Sequence, residues 1–529
     1  MIYHIAKCND LLNMYRFRWA ACQLEELKRC TRRQKTLKYI LESLPETLEA
    51  TYDQILSRIT PADASDAAKL LLWLAFAKKP LHVDCLAIVV EFDVSSEDFD
   101  PIAKLSSSED VLRICSSLVA KMSDNTVQLA HASVKEYVQG KPRVIQSNIT
   151  INPSQGNIFV GKCCLAYLLC STESVPICQN YKYGQTYHER NTHKRFDQSL
   201  IRYAAKFWPK HISESKQEPC FSNQIKKLFI FGGFSFHNWV EIYNYDCPYN
   251  LKMDRHSSLL ECASFHGLTS MVGWLLPNVV NNTEVLDASY VSLNNGHVAM
   301  ANVLIEKVID LGGCGRPVGN VLYAASSGGH GDIIKLMLEK GANVNAQGNH
   351  GNALQGACHR GYKEIAELLI RAGADVNSGG KAYKSVLQAA AYGGNKDIIE
   401  LLLETGANVK EQGGYALQAA SAGGHKQVVE LLLTRGADVN MHENCFQSAL
   451  EVASYGGYKD IVELLISIGS KVNVQEKYGK ALWNASCMGH RDIAELLLES
   501  GAHVVHVTIN TLYSADVPIP RMFSSHLVL

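Results

Sequence analysis

Three stretches of this chain carry residue types that could do chemistry. The first is Gly156-Asn-Ile-Phe-Val-Gly161-Lys162-Cys163, which has the Gly-x4-Gly-Lys spacing of a phosphate-cradling loop. Such a loop follows a buried strand, has small or polar residues inside it, and ends on a hydroxyl that binds Mg²⁺. Here the interior is Ile158-Phe159-Val160, Cys163 replaces the hydroxyl, and no apolar strand ending in Asp follows. The stretch reads as an ordinary helix N-terminus. The second is Ala130-His-Ala-Ser-Val-Lys-Glu-Tyr137, where His131, Ser133, Lys135 and Glu136 offer a nucleophile near a base. No oxyanion donor or partner acid is indicated, so the reading is a strand ending at His131 and a helix capped by Ser133. The third is a series of histidines, notably His330, His425 and His490, with no cysteine at zinc-ligand spacing beside them. They fall at one fixed turn position and are expected to bond backbone. The 16 cysteines form no Cys-x-x-Cys pair, and Cys163 and Cys164 are merely adjacent, which reads as free thiols in a reducing compartment. The expectation is no catalytic residue, no metal ligand and no cofactor, hence not an enzyme.

The elements that would position these residues lie in 529 residues carrying 51 Lys+Arg against 52 Asp+Glu, a net charge of −1. That balance argues against broad polyanion binding. With 47% hydrophobic and 19% charged residues the chain is expected to fold. The basic cluster Lys28, Arg29, Arg32, Arg33, Lys35 and Lys38 has Glu25 and Glu26 close by and reads as a solvated helix face. The first ten residues lack an apolar core and a cleavage site, and the longest apolar run is Leu70 to Ala77, well short of the ~20 residues of a bilayer span. A cytoplasmic protein without membrane contact is expected.

The 38 glycines are ordinary in number but not in spacing. Gly341, Gly373, Gly406, Gly436, Gly469 and Gly501 are 32, 33, 30, 33 and 32 residues apart. His330, Tyr362, Asn395, His425, Tyr458 and His490, each after a glycine, repeat the same intervals. Between the two series lie Leu-rich runs such as Asp397-Ile-Ile-Glu-Leu-Leu-Leu-Glu-Thr405. Ile398, Ile399, Leu401, Leu402 and Leu403 make a wide apolar stripe there, with Asp397 at the positive end of the helix dipole. The following glycine suits a helix C′ position. Shorter Ala-rich helices, such as Leu417 to Ala422, precede each turn and allow close stacking. The pattern Gly424-His425 through Gly436-Ala437-Asp438-Val439-Asn440 resembles the ankyrin repeat. The family's Thr-Pro-Leu-His turn is degraded. Asn352, Ser385 and Ser448 can still cap the short helix; Tyr415 and Lys480 cannot, which should weaken those two turns. Gln355, Gln388 and Gln418 stand where the family's His bonds the neighbouring repeat. About eight units are expected over 256–505, the first two degenerate, in one solenoid.

The resemblance implies a protein-binding concave face built from finger tips and short helices. By repeat phase, the fingers contribute Asn349, His350, Lys381, Tyr383, His442, Asn444, Phe446, Lys477 and Tyr478. The short helices contribute His359, Arg360, Tyr392, Tyr455 and Met488. Aromatic and Arg side chains are the types that dominate interface energetics.

Upstream, Leu48, Tyr52, Ile55, Leu56 and Ile59 recur at helical spacing after Pro45. Helices follow at about 63–78, 82–91 and 109–117. Leu118-Val-Ala-Lys-Met122 and Thr126-Val-Gln-Leu-Ala130 then flank Ser-Asp-Asn as a hairpin. Helices followed by a hairpin suggest a winged helix. Residues 66–145 carry nine Lys/Arg and eleven Asp/Glu, and no basic recognition helix stands out.

Leu44-Pro-Glu-Thr-Leu-Glu-Ala-Thr-Tyr-Asp-Gln-Ile-Leu56, Leu72-Trp-Leu-Ala-Phe-Ala-Lys-Lys-Pro-Leu81 and Val127-Gln-Leu-Ala-His-Ala-Ser-Val-Lys-Glu-Tyr137 resemble the segment after the NTPase in fungal NACHT–ankyrin proteins. That segment is described as a GPI inositol-deacylase-type winged helix, a name from sequence similarity and not from an activity. Phe17-Arg-Trp-Ala-Ala-Cys-Gln-Leu-Glu-Glu-Leu27 looks like the tail of a NACHT module, and Tyr203-Ala-Ala-Lys-Phe-Trp-Pro-Lys-His211 is similar to the helical region before the repeats. The resemblance covers about 15–505. It implies a relative of the STAND class, which includes NOD-like receptors, in which an NTPase switch is joined to an ankyrin sensor arm; the NTPase body has no counterpart here.

The expected fold is mainly α: a winged-helix domain and helical connector followed by an ankyrin-repeat solenoid. The expected divisions are a NACHT-tail remnant at 1–30, linking helices at 31–60, the winged helix at 61–145 and the connector at 146–255. The repeats follow at 256–505, and an irregular tail at 506–529. The expected function is a non-enzymatic scaffold binding a protein partner, with no nucleic acid, membrane or small-molecule substrate. Two other readings stand beside it: a signalling NTPase with a divergent or missing module, and nucleic-acid binding through the winged helix.

Overall fold

The structure is a computed structural model. It describes residues 47–92, 112–115, 118–146, 149–172, 198–229, 234–245, 247, 253, 257–279, 281–308, 315–441, 448–473 and 480–502. The chain divides into two compact units, Met1–Leu275 and Leu276–Leu529. Pro45, the basic cluster, the NACHT-like tail at 17–27 and residues 506–529 lie outside the described residues.

The first unit begins with α1 (Leu48–Ser57), α2 (Ala64–Phe76), β1 (Leu81–His82) and α3 (Val83–Val90). A hairpin of β2 (Val119–Lys121) and β3 (Thr126–Leu129) follows, then α4 (Ala132–Gly140) and a second hairpin, β4 (Arg143–Gln146) with β5 (Ile149–Ile151). The main sheet is antiparallel with order β1-β3-β2, Leu81 opposite Val127 and Val119 opposite Leu129. Its Ser-Asp-Asn turn closes as the sequence indicates. Asn125 takes φ 60°, and Asp124 Oδ1 accepts from the Thr126 N–H at 3.0 Å and its hydroxyl at 2.7 Å. Helix α2 is the hub. Ala67, Leu70, Leu71, Trp73 and Ala75 are all buried, so it is apolar nearly all round, as a central helix must be. Helix α1 packs on α4, where the Tyr52 and Ser133 hydroxyls lie 2.8 Å apart.

The connector contains α5 (Pro153–Thr172), α6 (Gln198–Ser215), a 3₁₀ turn (Glu218–Phe221), α7 (Ser222–Leu228) and α8 (Phe234–Tyr245). The motif around Tyr203 explains how these helices lock. Pro209 sits inside α6 and has no N–H for the carbonyl of Ala205 one turn back. The indole Nε1–H of the fully buried Trp239 on α8 donates to that carbonyl instead, at 3.0 Å. Trp208, Phe229 and Phe236 surround the same indole at centroid distances of 5.3, 5.8 and 5.9 Å. Further along α6, buried His211 is held between the Tyr203 hydroxyl (3.0 Å) and Asn157 Oδ1 (2.9 Å). Tyr203 in turn accepts from the Lys78 N–H at 3.0 Å, tying the connector to the end of α2. The unit ends with α9 (Leu259–Phe265) and α10 (Thr269–Leu275), the first degenerate repeat; His266 after α9 stacks on Trp239 at 5.4 Å.

The second unit holds seven further helix pairs among the described residues. These are α11 (Asn282–Asn294) with α12 (Val298–Lys307), α13 (Gly315–Ser327) with α14 (Gly331–Glu339), α15 (Ala353–Arg360) with α16 (Lys363–Arg371), and α17 (Val386–Tyr392) with α18 (Lys396–Glu404). Then come α19 (Val409–Ala422) with α20 (Lys426–Thr434), α21 (Ala449–Gly456) with α22 (Lys459–Ser467), and α23 (Lys480–Cys487) with α24 (Arg491–Glu499). All six glycines of the first series take positive φ, from 81° at Gly341 to 101° at Gly406, where a side chain would be strained. The apolar stripe of α18 is narrower than its sequence suggests. Ile398, Ile399 and Leu402 are buried, while Leu401 and Leu403 flank the contact and stay half-exposed.

Successive repeats are pinned by the motif asparagine. Asn377 donates to the Gly406 carbonyl at 3.0 Å and accepts from the Asn408 N–H at 2.8 Å. Asn345 does the same to Gly373 (3.1 Å) and Asp375 (2.8 Å), and Asn440 to Gly469 (3.4 Å) and Lys471 (2.8 Å). Lys410 occupies this place in the unit with the 30-residue spacing. That unit also departs from the expected weak turn at Tyr415. With three residues fewer there is no room for a finger, so the chain enters the helix at once. Asn408 caps α19 at the Glu411 N–H (3.3 Å), and Tyr415 lies inside the helix.

Candidate partner-binding face

The face expected to bind a partner rests on the ends of the short helices and on the fingers, and hydrogen bonds from neighbouring repeats fix both. Asn395 Nδ2 donates to the carbonyls of Cys358 (2.8 Å) and His359 (3.3 Å). His425 Nε2–H donates to the Tyr392 carbonyl at 3.1 Å, and His490 Nε2–H to the Tyr455 carbonyl at 3.2 Å. His425 and His490 thus bond backbone, one repeat back, as expected for two of the three histidines singled out in the sequence. His425 also lies over Gly394, whose φ is 72°; a Cβ there would come within 2.5 Å of the imidazole. Gly393 lets the short helices approach, since its Cβ would fall 2.1 Å from the His359 carbonyl oxygen.

The fingers are held by glutamines. Gln355 donates to the Tyr383 carbonyl (3.1 Å) and closes a capping box with Asn352, and Gln418 donates to the Met441 carbonyl (3.1 Å). Gln388 departs from this scheme and accepts from the Lys384 N–H of its own turn at 2.7 Å, because the unit after it has no finger. Ser385 and Ser448 cap α17 and α21 as expected.

This frame brings several of the sequence-selected side chains together. The rings of His359, Tyr383 and Tyr392 lie 5.5, 5.6 and 6.2 Å apart in a single cluster, with Tyr383 Oη 3.2 Å from His359 Nδ1. Such offset ring packing is favourable beyond the area it buries. Burial, and then the Arg360 charge, hold the His359 imidazole below its usual range, which favours its neutral form beside the tyrosine hydroxyl. Burial pushes the Tyr383 hydroxyl up. Tyr392 is 40% exposed, and Arg360 and Lys381 are exposed beside it. His350 packs on Tyr323 at 5.8 Å. Tyr455 is half-buried and Met488 exposed, each on a later repeat. His442, Asn444, Phe446, Lys477 and Tyr478 lie outside the described residues. Sequence reasoning missed Tyr323, Lys384 and Tyr415. Lys384 Nζ stands 4.7 Å above the Tyr415 ring, a cation–π contact. Tyr323 occupies the phase of Gln355 and Gln388, and that register was the available signal.

The stretches that resemble chemical motifs have other settings. Gly156 and Gly161 lie within α5, where a Cβ would meet the Phe76 ring at 2.3 Å and the Phe221 ring at 2.9 Å. These glycines admit aromatic rings to the helix surface. His131, not Ser133, is the residue that caps α4: its Nδ1 accepts from the Ser133 N–H at 3.1 Å. Ser133 is 4% exposed, with its hydroxyl bonded to Tyr52 and to His131 (2.7 Å), because α1 covers it. Arg143 at the start of β4 is buried over the Tyr137 ring at 4.0 Å and faces Glu49 and Asp53. The described cysteines are all free, and burial pushes the Cys115 thiol up to about 12. Among the described residues no His/Cys/Asp/Glu group is arranged to hold a metal ion. No described helix is long and apolar enough to cross a membrane.

Comparison with known proteins agrees with this architecture. Residues 294–380, 354–443 and 419–508 match the family of ankyrin repeats, and residues 52–152 match the GPI inositol-deacylase winged helix domain. The chain is 30% identical over 342 residues to azaphilone pigments biosynthesis cluster protein L of Monascus ruber, a match covering 61% of this chain and 65% of that protein. Among solved structures, the human ASB11 ankyrin repeat domain is similar at 24% identity and a TM-score of 0.32, over 36% of this chain and 87% of that one. The chain therefore carries a winged helix of the GPI inositol-deacylase type followed by ankyrin repeats, the architecture of a protein–protein interaction scaffold.

Proposed function

We propose that this chain is a non-enzymatic regulator that binds a protein partner on the finger and short-helix face of its repeats. The observation that carries the reading is the cluster of His359, Tyr383 and Tyr392, preformed and partly open, with Arg360 and Lys381 exposed beside it. Preorganised aromatic and Arg side chains lose little entropy on binding and dominate interface energy. The winged helix and the resemblance to fungal NACHT–ankyrin proteins support a place as the regulatory arm of such a system in the cytoplasm, acting by competing with or partnering full-length relatives. The helical setting of Gly156 and Gly161 supports a role without nucleotide.

The test is a pull-down with the full chain, its Tyr383→Ala/Tyr392→Ala form and an outer-helix control, Glu400→Ala/Glu463→Ala. A captured protein is expected to bind the tyrosine variant about thirtyfold more weakly, a hot-spot loss of ~2 kcal/mol, and the control unchanged. Equal capture by all three forms contradicts the proposed face. Magnesium-dependent ATP binding abolished by Lys162→Ala contradicts the non-enzymatic reading.

A further inference from the structure

The chemistry of the partner can be narrowed, on the strength of the binding face just proposed. Charge is segregated in the central repeats. Over residues 315–330, 342–362 and 374–395, which form the fingers, short helices and turns, the charged side chains are Arg316, Arg360, Lys381, Lys384 and a single acid, Asp375. Asp375 stands at the base of its finger, where Oδ1 accepts from the Asn377 N–H at 2.9 Å. The long helices behind carry both signs: Lys363, Glu364, Glu367 and Arg371 in α16, and Lys396, Asp397, Glu400 and Glu404 in α18. Their cations are partly matched, Arg371 with Glu367 at 3.4 Å and Lys396 with Glu400 at 3.8 Å. Arg360 and Lys381 are exposed and make no ion pair among the described residues.

Two features give this cationic face a shape. A cleft of about 630 Å³ runs between adjacent fingers, with Gly348, Gly379 and Gly380 along it and Lys381 and Lys384 beside them. A Cβ on Gly348, Gly379 or Gly380 would meet the chain's own Asn320, Lys384 carbonyl or Gln355 at 2.9, 2.7 and 2.5 Å, so these glycines let the adjacent fingers pack closely and the cleft lies over that seam. The half-open ring cluster of His359, Tyr383 and Tyr392 belongs to the same two repeats.

We propose that this face takes an acidic segment of a partner protein, with Asp or Glu carboxylates over the finger cleft and an aromatic or aliphatic side chain against Tyr383 and Tyr392. Carboxylates match the lysine and guanidinium donors, and like-charged partners are rejected. A nucleic-acid strand fits less well. It needs an extended basic track, whereas these four cations stand on a chain of net charge −1 whose long helices present carboxylates.

The test is selection from a displayed library of random peptides on the full chain, followed by affinity measurement of the synthetic winners by fluorescence anisotropy. The comparison forms are Arg360→Glu/Lys381→Glu and Tyr383→Ala/Tyr392→Ala, each checked by circular dichroism; all four positions are at or near the surface. The expected winners are rich in Asp and Glu around an apolar residue. They should bind the charge-reversed form at least about tenfold more weakly and lose affinity as salt rises. Winners without acidic bias, or unaffected by the charge reversal but weakened by the tyrosine changes, overturn this inference and leave the binding face standing. Winners indifferent to both variants, or no winners, overturn both. Tighter binding of a labelled single-stranded oligonucleotide, lost on the same charge reversal, replaces the acidic segment with nucleic acid.

Discussion

Replacing Trp239 by alanine is expected to destabilise the N-terminal unit by about 3–5 kcal/mol, the range for removing a fully buried large aromatic side chain. Two losses combine. The ring leaves a cavity among Trp208, Phe229 and Phe236. The Ala205 carbonyl also loses its donor, and Pro209 cannot supply another. Trp239→Phe separates the two losses. It keeps most of the packing and removes the hydrogen bond, so about 1–3 kcal/mol is expected from the orphaned carbonyl. Adding Pro209→Ala to Trp239→Phe returns an N–H to Ala205 and should recover part of that loss, whereas Pro209→Ala alone leaves the carbonyl already served. Urea unfolding of the four proteins, followed by circular dichroism, measures the coupling. Additive effects would show that the indole does not act as the substitute donor.

The second large effect is acid sensitivity. His211 is held neutral at about 3 by burial first, then by the charges of Lys78 and Lys210. The hydrogen bonds agree. Nδ1–H donates to Asn157 Oδ1, so Nε2 accepts from Tyr203, whose oxygen already accepts from the Lys78 N–H. A proton on Nε2 would turn the Tyr203 hydroxyl from donor to acceptor, on an oxygen that already accepts from the Lys78 N–H. In the unfolded chain histidine titrates near 6.5, so the unfolded state binds a proton that the folded state refuses. Stability from this group is full above about pH 6.5 and falls as pH drops toward 3, by roughly 1.4 kcal/mol per unit at most. His211→Gln removes the titration. Between pH 7 and 4.5 the wild-type unfolding free energy, read by tryptophan fluorescence in a Trp483→Phe background, should fall by about 2–3 kcal/mol more than that of the variant. Equal slopes would show that His211 already carries a proton in the folded protein. The five remaining tryptophans, Trp73, Trp208, Trp239, Trp274 and Trp19 (the last outside the described residues), all fall within Met1–Leu275, so the signal reports on the N-terminal unit.

Much of this architecture was legible because it is local and periodic. Two glycine registers running in step, one at helix C′ positions and one at turns, identify the repeats without any contact being known. The Ser-Asp-Asn turn and the alternation around it locate the hairpin. What escaped the sequence depends on pairs far apart in the chain. Nothing near Pro209 points to Trp239 as its stand-in donor, and nothing in the sequence alone assigns His211 to Asn157. The reassignment of Ser133 from cap to buried partner follows from α1 packing on α4. At Tyr415 the sequence exposed a poor cap but not its consequence. Losing three residues removes the finger, so Asn408 starts the helix and Gln388 has no finger carbonyl to reach. Of the face residues, phase placed His359, Tyr383 and Tyr392 on one surface, but their joining into one cluster required the spacing of neighbouring repeats, and Tyr323 was missed for the same reason.

The central claim is that a protein binds on the finger and short-helix face. Hydrogen exchange on the full chain, free and with a captured partner, tests it most directly. The account predicts added protection in peptides covering 346–362 and 378–395, with the outer helices Lys363–Arg371 and Lys396–Glu404 unchanged. Protection confined to those outer helices, or to the winged helix with the repeats unchanged, would contradict it.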